Sequence, residues 1–406
     1  MKPLFTLIIN ILLLVNCSFN KQPKDGLAFI DFKKNYPVKD ILLTNIADIT
    51  YLHLNTDDDE YLYKGYEHIQ RGGISYLTRN TVVVVDAVSE SILFFSKDGT
   101  PKSRFNRKGQ GPGEYTLFFS DVIYDETADE VYITNLDNNF IQVYSSFGEY
   151  KRTLKLPQGI MIRELSFFDE HSLFFLDFRF ESQKTFARLK GADIQSDKNV
   201  MPFYRISATT GEVLDYIELP CTNLFLGINW NGMRIVNGSS IFTMKCKEGM
   251  MLCNPGIDTI FIYKGDNSLV PVLYQTPSVA LLNPMEYLDF CLDRGQYRFI
   301  KTIIVREGNS APAIFPAKYY MLDKKTGTIV RPKFLLQDYM GKEFIIDPYN
   351  QNNVGKIYND GYCFELDLYE LKQAYHENKL SGKLKELVAT LNEDEDNNVF
   401  MLVQFK

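Results

Sequence analysis

A segment of this chain repeats itself at a constant offset of 49 residues, and that repeat restricts the fold more than any other feature. Val82-Val83-Val84-Val85-Asp86, Ile92-Leu93-Phe94-Phe95 and Asp98-Gly99 are answered by Val131-Tyr132-Ile133-Thr134-Asn135, Ile141-Gln142-Val143-Tyr144 and Phe147-Gly148. Asp86 to Asn135, Ile92 to Ile141, Phe94 to Val143 and Gly99 to Gly148 keep the offset without a gap, as do Ile74 and Ile123 ahead of them. Each unit reads as short strands joined by Gly and Asx turns, the pattern of antiparallel sheet. Fainter copies follow. Leu173–Leu176 leads to Tyr204–Ile206 and Gly211; Ile241–Met244 leads to Thr259–Tyr263 and Gly265; Thr302–Val305 leads to Tyr319–Asp323 and Gly327; a last unit begins at Ile357.

Six units of roughly 45 to 65 residues are too long for solenoid coils and suit the four-stranded blades of a propeller. Aromatic residues make up 14% of the chain, which also favours strands. The expected fold class is therefore all-β: a six-bladed β-propeller over residues 39–406, with short helices inserted near the C-terminus. Closing such a ring pairs an N-terminal strand with the last blade, and Ile49–Leu54 and Asn398–Phe405 are suitable partners. One helix is expected over Glu365–Asn378; a second carries Leu384, Leu387, Val388 and Leu391 on one face.

Ahead of the propeller, Lys2 precedes an apolar run from Leu4 to Val15, interrupted by Thr6 and Asn10 and ending at Cys17. About twelve residues fall short of the ~20 needed to span a bilayer and match a secretion signal. Cys17 resembles the lipidated cysteine of a bacterial lipobox, although Asn16 replaces the small residue usual before it; the alternative is an ordinary cleaved signal. Residues 1–16 are thus expected to be a lipoprotein signal peptide, and the polar residues 17–38 an irregular lipid-anchored tether. A net charge of −7 opposes binding to nucleic-acid phosphates. Cys221, Cys246, Cys253, Cys291 and Cys363 have neither disulfide-framework nor metal-clip spacing; they read as mostly buried small hydrophobes, with any pairing open.

The run Arg107-Lys108-Gly109-Gln110-Gly111-Pro112-Gly113-Glu114-Tyr115, just after the first blade, resembles the six-bladed β-propeller lipoproteins of Bacteroidetes, as does the C-terminal pattern of Leu384-Lys385-Glu386-Leu387, an acidic patch and a last apolar strand. The resemblance implies the architecture, with NHL-like repeats and an outer-membrane anchor, far more than a function. Surface-exported lipoproteins of that group carry acidic residues directly after the acylated cysteine. Ser18-Phe19-Asn20-Lys21 has none, so the periplasmic side is favoured over surface display.

Gly109, Gly111 and Gly113 lack the companions of a Walker loop or dinucleotide fingerprint, and read as a crossing between blades where only glycine tolerates the backbone angles. A functional reading places Arg104, Arg107, Lys108 and Glu114 as charged groups at one mouth of the central channel. Trp230, the single tryptophan, with Arg234 close by, could stack on a sugar ring. The acidic runs 57–60 and 393–396 lack calcium-loop spacing, and His53, His68, His171 and His376 form no zinc motif. There is no nucleophile elbow. No catalytic residue, metal ligand or cofactor is therefore assigned. The expected function is an envelope-anchored binding or scaffolding module for a glycan, peptide or protein partner. The alternatives are a metal-dependent hydrolase or lyase with its site at the channel mouth, and a structural subunit of an envelope complex.

Overall fold

A computed structural model describes residues 27–406 except 57–59, 64–72, 87, 116–120, 135–139, 158–159, 161, 178–199, 221–226, 231–232, 237–242, 255–256, 306–315, 349–354 and 359–360. Six sheets of four or more strands succeed one another. Blade one comprises Gly73–Leu77, Thr81–Asp86, Ser91–Ser96 and Pro101–Phe105; blade two, Val122–Asp125, Glu130–Thr134, Phe140–Tyr144 and Tyr150–Lys155; blade three, Ile162–Asp169, Ser172–Asp177, Val200–Ser207 and Val213–Pro220. Blade four comprises Thr243–Cys246, Gly249–Leu252, Thr259–Tyr263 and Leu269–Thr276, and blade five Met285–Arg294, Tyr297–Val305, Ala317–Asp323 and Ile329–Leu336. Blade six takes Gly355–Tyr358, Gly361–Leu366 and Val399–Phe405, with Ala47–His53 as its fourth strand. First strands of successive blades touch one another from blade six through blade one and on to blade five, and form the inner ring.

The apolar runs that mark the repeat follow from this geometry. A blade is covered on both faces by its neighbours, so both sets of alternating side chains must be apolar. Val82, Val84, Leu93 and Phe95 pack with Leu52, Leu54 and Phe400 of blade six. Val83, Ile92 and Phe94 point the other way, against Val122, Val131 and Ile133 of blade two. Each such side chain contributes roughly 1.5–3 kcal/mol on burial. The turn between third and fourth strands repeats as well: Gly99, Gly148, Gly211, Gly265 and Gly327 have φ between 71° and 97°, the left-handed region that glycine enters without strain. Blade six lacks such a turn because its fourth strand comes from the N-terminus. That strand closes the ring in the expected place, with Val399 opposite His53 and Phe405 opposite Ala47.

Three expectations need correction. The stretch 17–38 is not irregular throughout: Ala28–Asp31 adds a fifth strand, parallel to Leu273–Thr276 of blade four, because Ile30 is fully buried there. Val38–Leu42 then adds to blade five, parallel to Arg331–Leu335, before the chain reaches blade six. The chain thus steps along the outer edges of three consecutive blades. In the fourth unit, Thr243–Cys246 is the innermost strand and Gly249–Leu252, with all four residues buried, takes the second place. The first C-terminal helix begins at Leu368, not Glu365, because Glu365 and Leu366 complete a ladder with Val399–Phe400 and the Asp367 side chain caps the helix through the Glu370 N–H at 2.8 Å. It and Gly382–Thr390 bury Leu371, Ala374, Leu384 and Val388 in the core shared by blades four to six. A hairpin of Gly227–Trp230 and Met233–Val236 stands between blades three and four.

Candidate functional site

The glycine-rich crossing is a clasp between blades one and two. Arg104 lies on the outermost strand of blade one, opposite Leu93, and its Nη1 donates to the Glu60 carbonyl at 2.5 Å. Arg107 Nε donates to the Gly148 carbonyl in the outer turn of blade two at 2.8 Å, and Lys108 pairs with Glu90. Tyr115 is fully buried; its hydroxyl accepts from Arg107 N–H at 2.8 Å and donates to the Glu90 carbonyl at 3.0 Å. Glu114 folds back to accept the Gly111 N–H at 2.8 Å. A Cβ on Gly109 would lie 1.9 Å from Glu114 Oε2, the mobile end of a side chain that would have to swing away and give up its bond to Gly111; of the three glycines only Gly113, at +76°, needs the left-handed region. Arg104 and Arg107 therefore serve the outer seam, not the mouth of the channel. Strand position decides this, since a fourth-strand residue lies farthest from the axis.

The other sequence candidates resolve unevenly. The backbones of Trp230 and Arg234 pair with Met233 and Asn229; their side chains, like Cys17, Cys221, His68 and residues 57–59, lie outside the described residues. Asp396 accepts the Asn392 N–H at 2.7 Å and sits 3.2 Å from His53. Among the described residues no three His, Cys, Asp or Glu side chains gather as a metal group. Cys246, Cys253, Cys291 and Cys363 are buried and unbridged, and burial pushes the Cys291 thiol up to about 12, away from nucleophilic use.

Blade five carries a feature that the sequence reading missed. Its third and fourth strands pair only through Met321 with Val330 and Leu322 with Ile329. Continuing that register would set Tyr319 opposite Pro332, which has no N–H to give, and there the ladder stops. The fourth strand instead takes Tyr339–Phe344 on the vacated edge, with Phe334 opposite Phe344 and Leu335 opposite Glu343. Between the parted strands lies a small cleft of about 50 Å³ walled by Phe299, Tyr319, Tyr320, Phe334 and Phe344, with Pro332, Glu343 and Ile345 at its margin. A proline inside an otherwise regular strand pattern was the available signal.

A buried charge chain fixes one wall. The Tyr319 hydroxyl donates to Asp347 Oδ2 at 2.8 Å; Lys301 Nζ lies 3.1 Å from Asp347 and 3.0 Å from Asp289. Burial alone would lower the Lys301 ammonium, but the two carboxylates outweigh it and hold the group above its ordinary value. Next to it Lys318 pairs with Glu286 at 2.8 Å, and Thr302 donates to the same carboxylate at 2.7 Å. At about 50 Å³ the pocket is well below the ~300–1,000 Å³ of sites that enclose a whole small ligand, and Phe299, Tyr320, Phe334 and Phe344 are buried, so it can seat only the tip of a ligand, beside the exposed Glu343 carboxylate.

Comparison with known proteins agrees with this architecture. Residues 18–210 match the DUF5128 family, described as a 6-bladed beta-propeller. No curated protein matches the sequence. A solved Bacteroides fragilis protein assigned as exported aligns at 17% identity with a TM-score of 0.61, covering 93% of this chain and 99% of its own, a likeness of fold. A DUF4221 member from Bacteroides vulgatus (13% identity, TM-score 0.47, 89% and 97% covered) and virginiamycin B lyase from Staphylococcus aureus (12%, 0.40, 88% and 100%) are similar in outline and carry nothing about chemistry. The chain is a six-bladed β-propeller protein, matched through its N-terminal half by the DUF5128 family.

Proposed function

We propose that this chain is a non-catalytic binding module of the bacterial cell envelope, held by lipid on Cys17 and taking its ligand in the cleft of blade five. The apolar leader ending at Cys17 supports the anchor, and the exported assignment of a structural relative agrees with it. Among the described residues no helix is long and apolar enough to cross a membrane. The observation that carries the ligand site is the split sheet: five aromatic side chains line a small cleft where a ladder would otherwise have been continuous. A cleft of about 50 Å³ with such a lining accepts the edge of a sugar ring or the tip of an apolar peptide side chain. Calorimetric titration with a panel of oligosaccharides and a panel of peptides separates the two. Binding from one panel should vanish in Ile345→Trp, which fills the cleft from its margin, while circular dichroism stays unchanged. Undiminished binding by that variant would move the site elsewhere.

A further inference from the structure

The chain joins the propeller at the rim of blade four and runs along the outer edges of blades four and five, and that edge is unlike the rest of the molecule. We propose that the rim of blades four and five is apposed to a membrane bearing anionic headgroups, so that the propeller stands edge-on to the lipid. The proposal rests on the reading that Cys17 is acylated. Ten peptide steps separate Cys17 from Leu27, where the described chain begins. They span at most about 33–36 Å fully extended and about 16–19 Å as a flexible coil. The strand Ala28–Asp31 therefore cannot leave the neighbourhood of the anchor.

The side chains on that rim suit such a neighbour. Phe29, stacked on Tyr274 at 5.5 Å between ring centres, is exposed, and so are Val38 and Leu42. Parallel pairing sets Val38 beside Arg331, Asp40 beside Lys333 and Leu42 beside Leu335, so the outward face carries apolar Val38 and Leu42 with the cations Arg331 and Lys333 and one carboxylate, Asp40, next to Lys333. Lys33, Lys34 and Lys39 are exposed on the same rim, in a protein of net charge −7. Lysines alone would be explained as guards of an edge strand. Exposed Phe29, Val38 and Leu42 do the reverse and call for a covering surface. Apolar tips beside basic groups are the composition that binds at a headgroup boundary.

The test uses the full acylated chain on vesicles of phosphatidylethanolamine and phosphatidylglycerol with brominated acyl chains, the wild-type signal of Trp230 being subtracted. Phe29→Trp and Val38→Trp should be quenched about threefold or more above Phe147→Trp, an exposed position on blade two at the opposite rim. Equal quenching, or stronger quenching at 147, overturns the proposal alone. Mass spectrometry showing no acyl groups on Cys17 overturns it together with the anchor. A blue-shifted emission from Phe29→Trp without vesicles, with a dimer in sedimentation, assigns the rim to a second copy and overturns it too.

Discussion

Lys301 is the residue whose replacement tests most directly how the cleft is held. It lies between Asp289 and Asp347, which are 1% and 2% exposed. Lys301→Met keeps the apolar stem and removes the charge, leaving two carboxylates buried without their cation. Breaking a buried pair in this way costs about 3–5 kcal/mol. For about 380 residues at ~2.1 cal/mol/K each, the unfolding entropy is ~0.8 kcal/mol/K, so Tm should fall by about 4–6 °C. The loss should depend on pH. In the wild type the ammonium is raised by its partners, so its contribution is fully present below 10.5 and disappears only as pH rises through its higher folded value. In the variant the carboxylates become acids raised by burial and by each other, whose contribution is present at low pH and lost as pH rises. The deficit should therefore be largest near pH 8 and shrink towards pH 5. The triple variant Asp289→Asn, Lys301→Met, Asp347→Asn should recover most of the loss, since a fully neutral cluster leaves no buried charge. Urea titrations followed by circular dichroism at both pH values decide the matter. A deficit below about 1 kcal/mol, or one independent of pH, would refute the account of a charge-held wall.

Other consequences are separable. Gly148→Ala would place its Cβ 2.6 Å from Phe105 Cβ at a φ of +78°, and should cost about 2–4 kcal/mol by urea titration. Gly327→Ala, at +71° with nothing within 4 Å, should cost only about 1–2 kcal/mol, so equal losses would contradict the blade-to-blade contact. His53, at the end of the closing strand, is held below its ordinary value by burial, against the pull of Asp396. Its contribution is therefore present above pH 6.5 and lost as pH falls, and His53→Gln should flatten the acid side of a Tm-against-pH curve. Asn397, 2% exposed, accepts the Tyr63 N–H and donates to the Leu54 and Tyr61 carbonyls; Asn397→Ala should cost about 1–3 kcal/mol by denaturant titration.

The propeller was legible in the sequence because each blade obeys a local rule twice over. Val82 and Val84 serve one seam and Val83 the next, which turns a strand into an unbroken apolar run, and a glycine after the third strand marks the turn that follows. What was not legible depends on partners distant in sequence. Ala28–Asp31 has only Ile30 fully buried, a pattern too short to distinguish from a polar tether, and its partner lies some 245 residues away (28 to 273). Arg104 and Arg107 were read beside the channel because their run follows a blade, yet distance from the axis is set by place in the sheet. The cleft draws its walls from 299–300, 319–320, 332, 334 and 343–346, none of them a motif. Pro332 was the one hint, and Pro202 and Pro271, inside strands whose ladders continue, show that a proline alone does not part a sheet.

Blade five is where these exceptions meet, and the cause is one strand with two different faces. Along Ile329–Leu336, Pro332 and Phe334 line the cleft, while Arg331 and Lys333 are exposed on the rim. Period-two alternation makes this division automatic. Having lost its ladder to Ala317–Tyr320, the strand is held on its other edge by Val38–Leu42 of the N-terminal strap, and Tyr319 is fixed through Asp347 and Lys301 in place of a continuing sheet. The N-terminal strap is thus the element that keeps the parted strand in place.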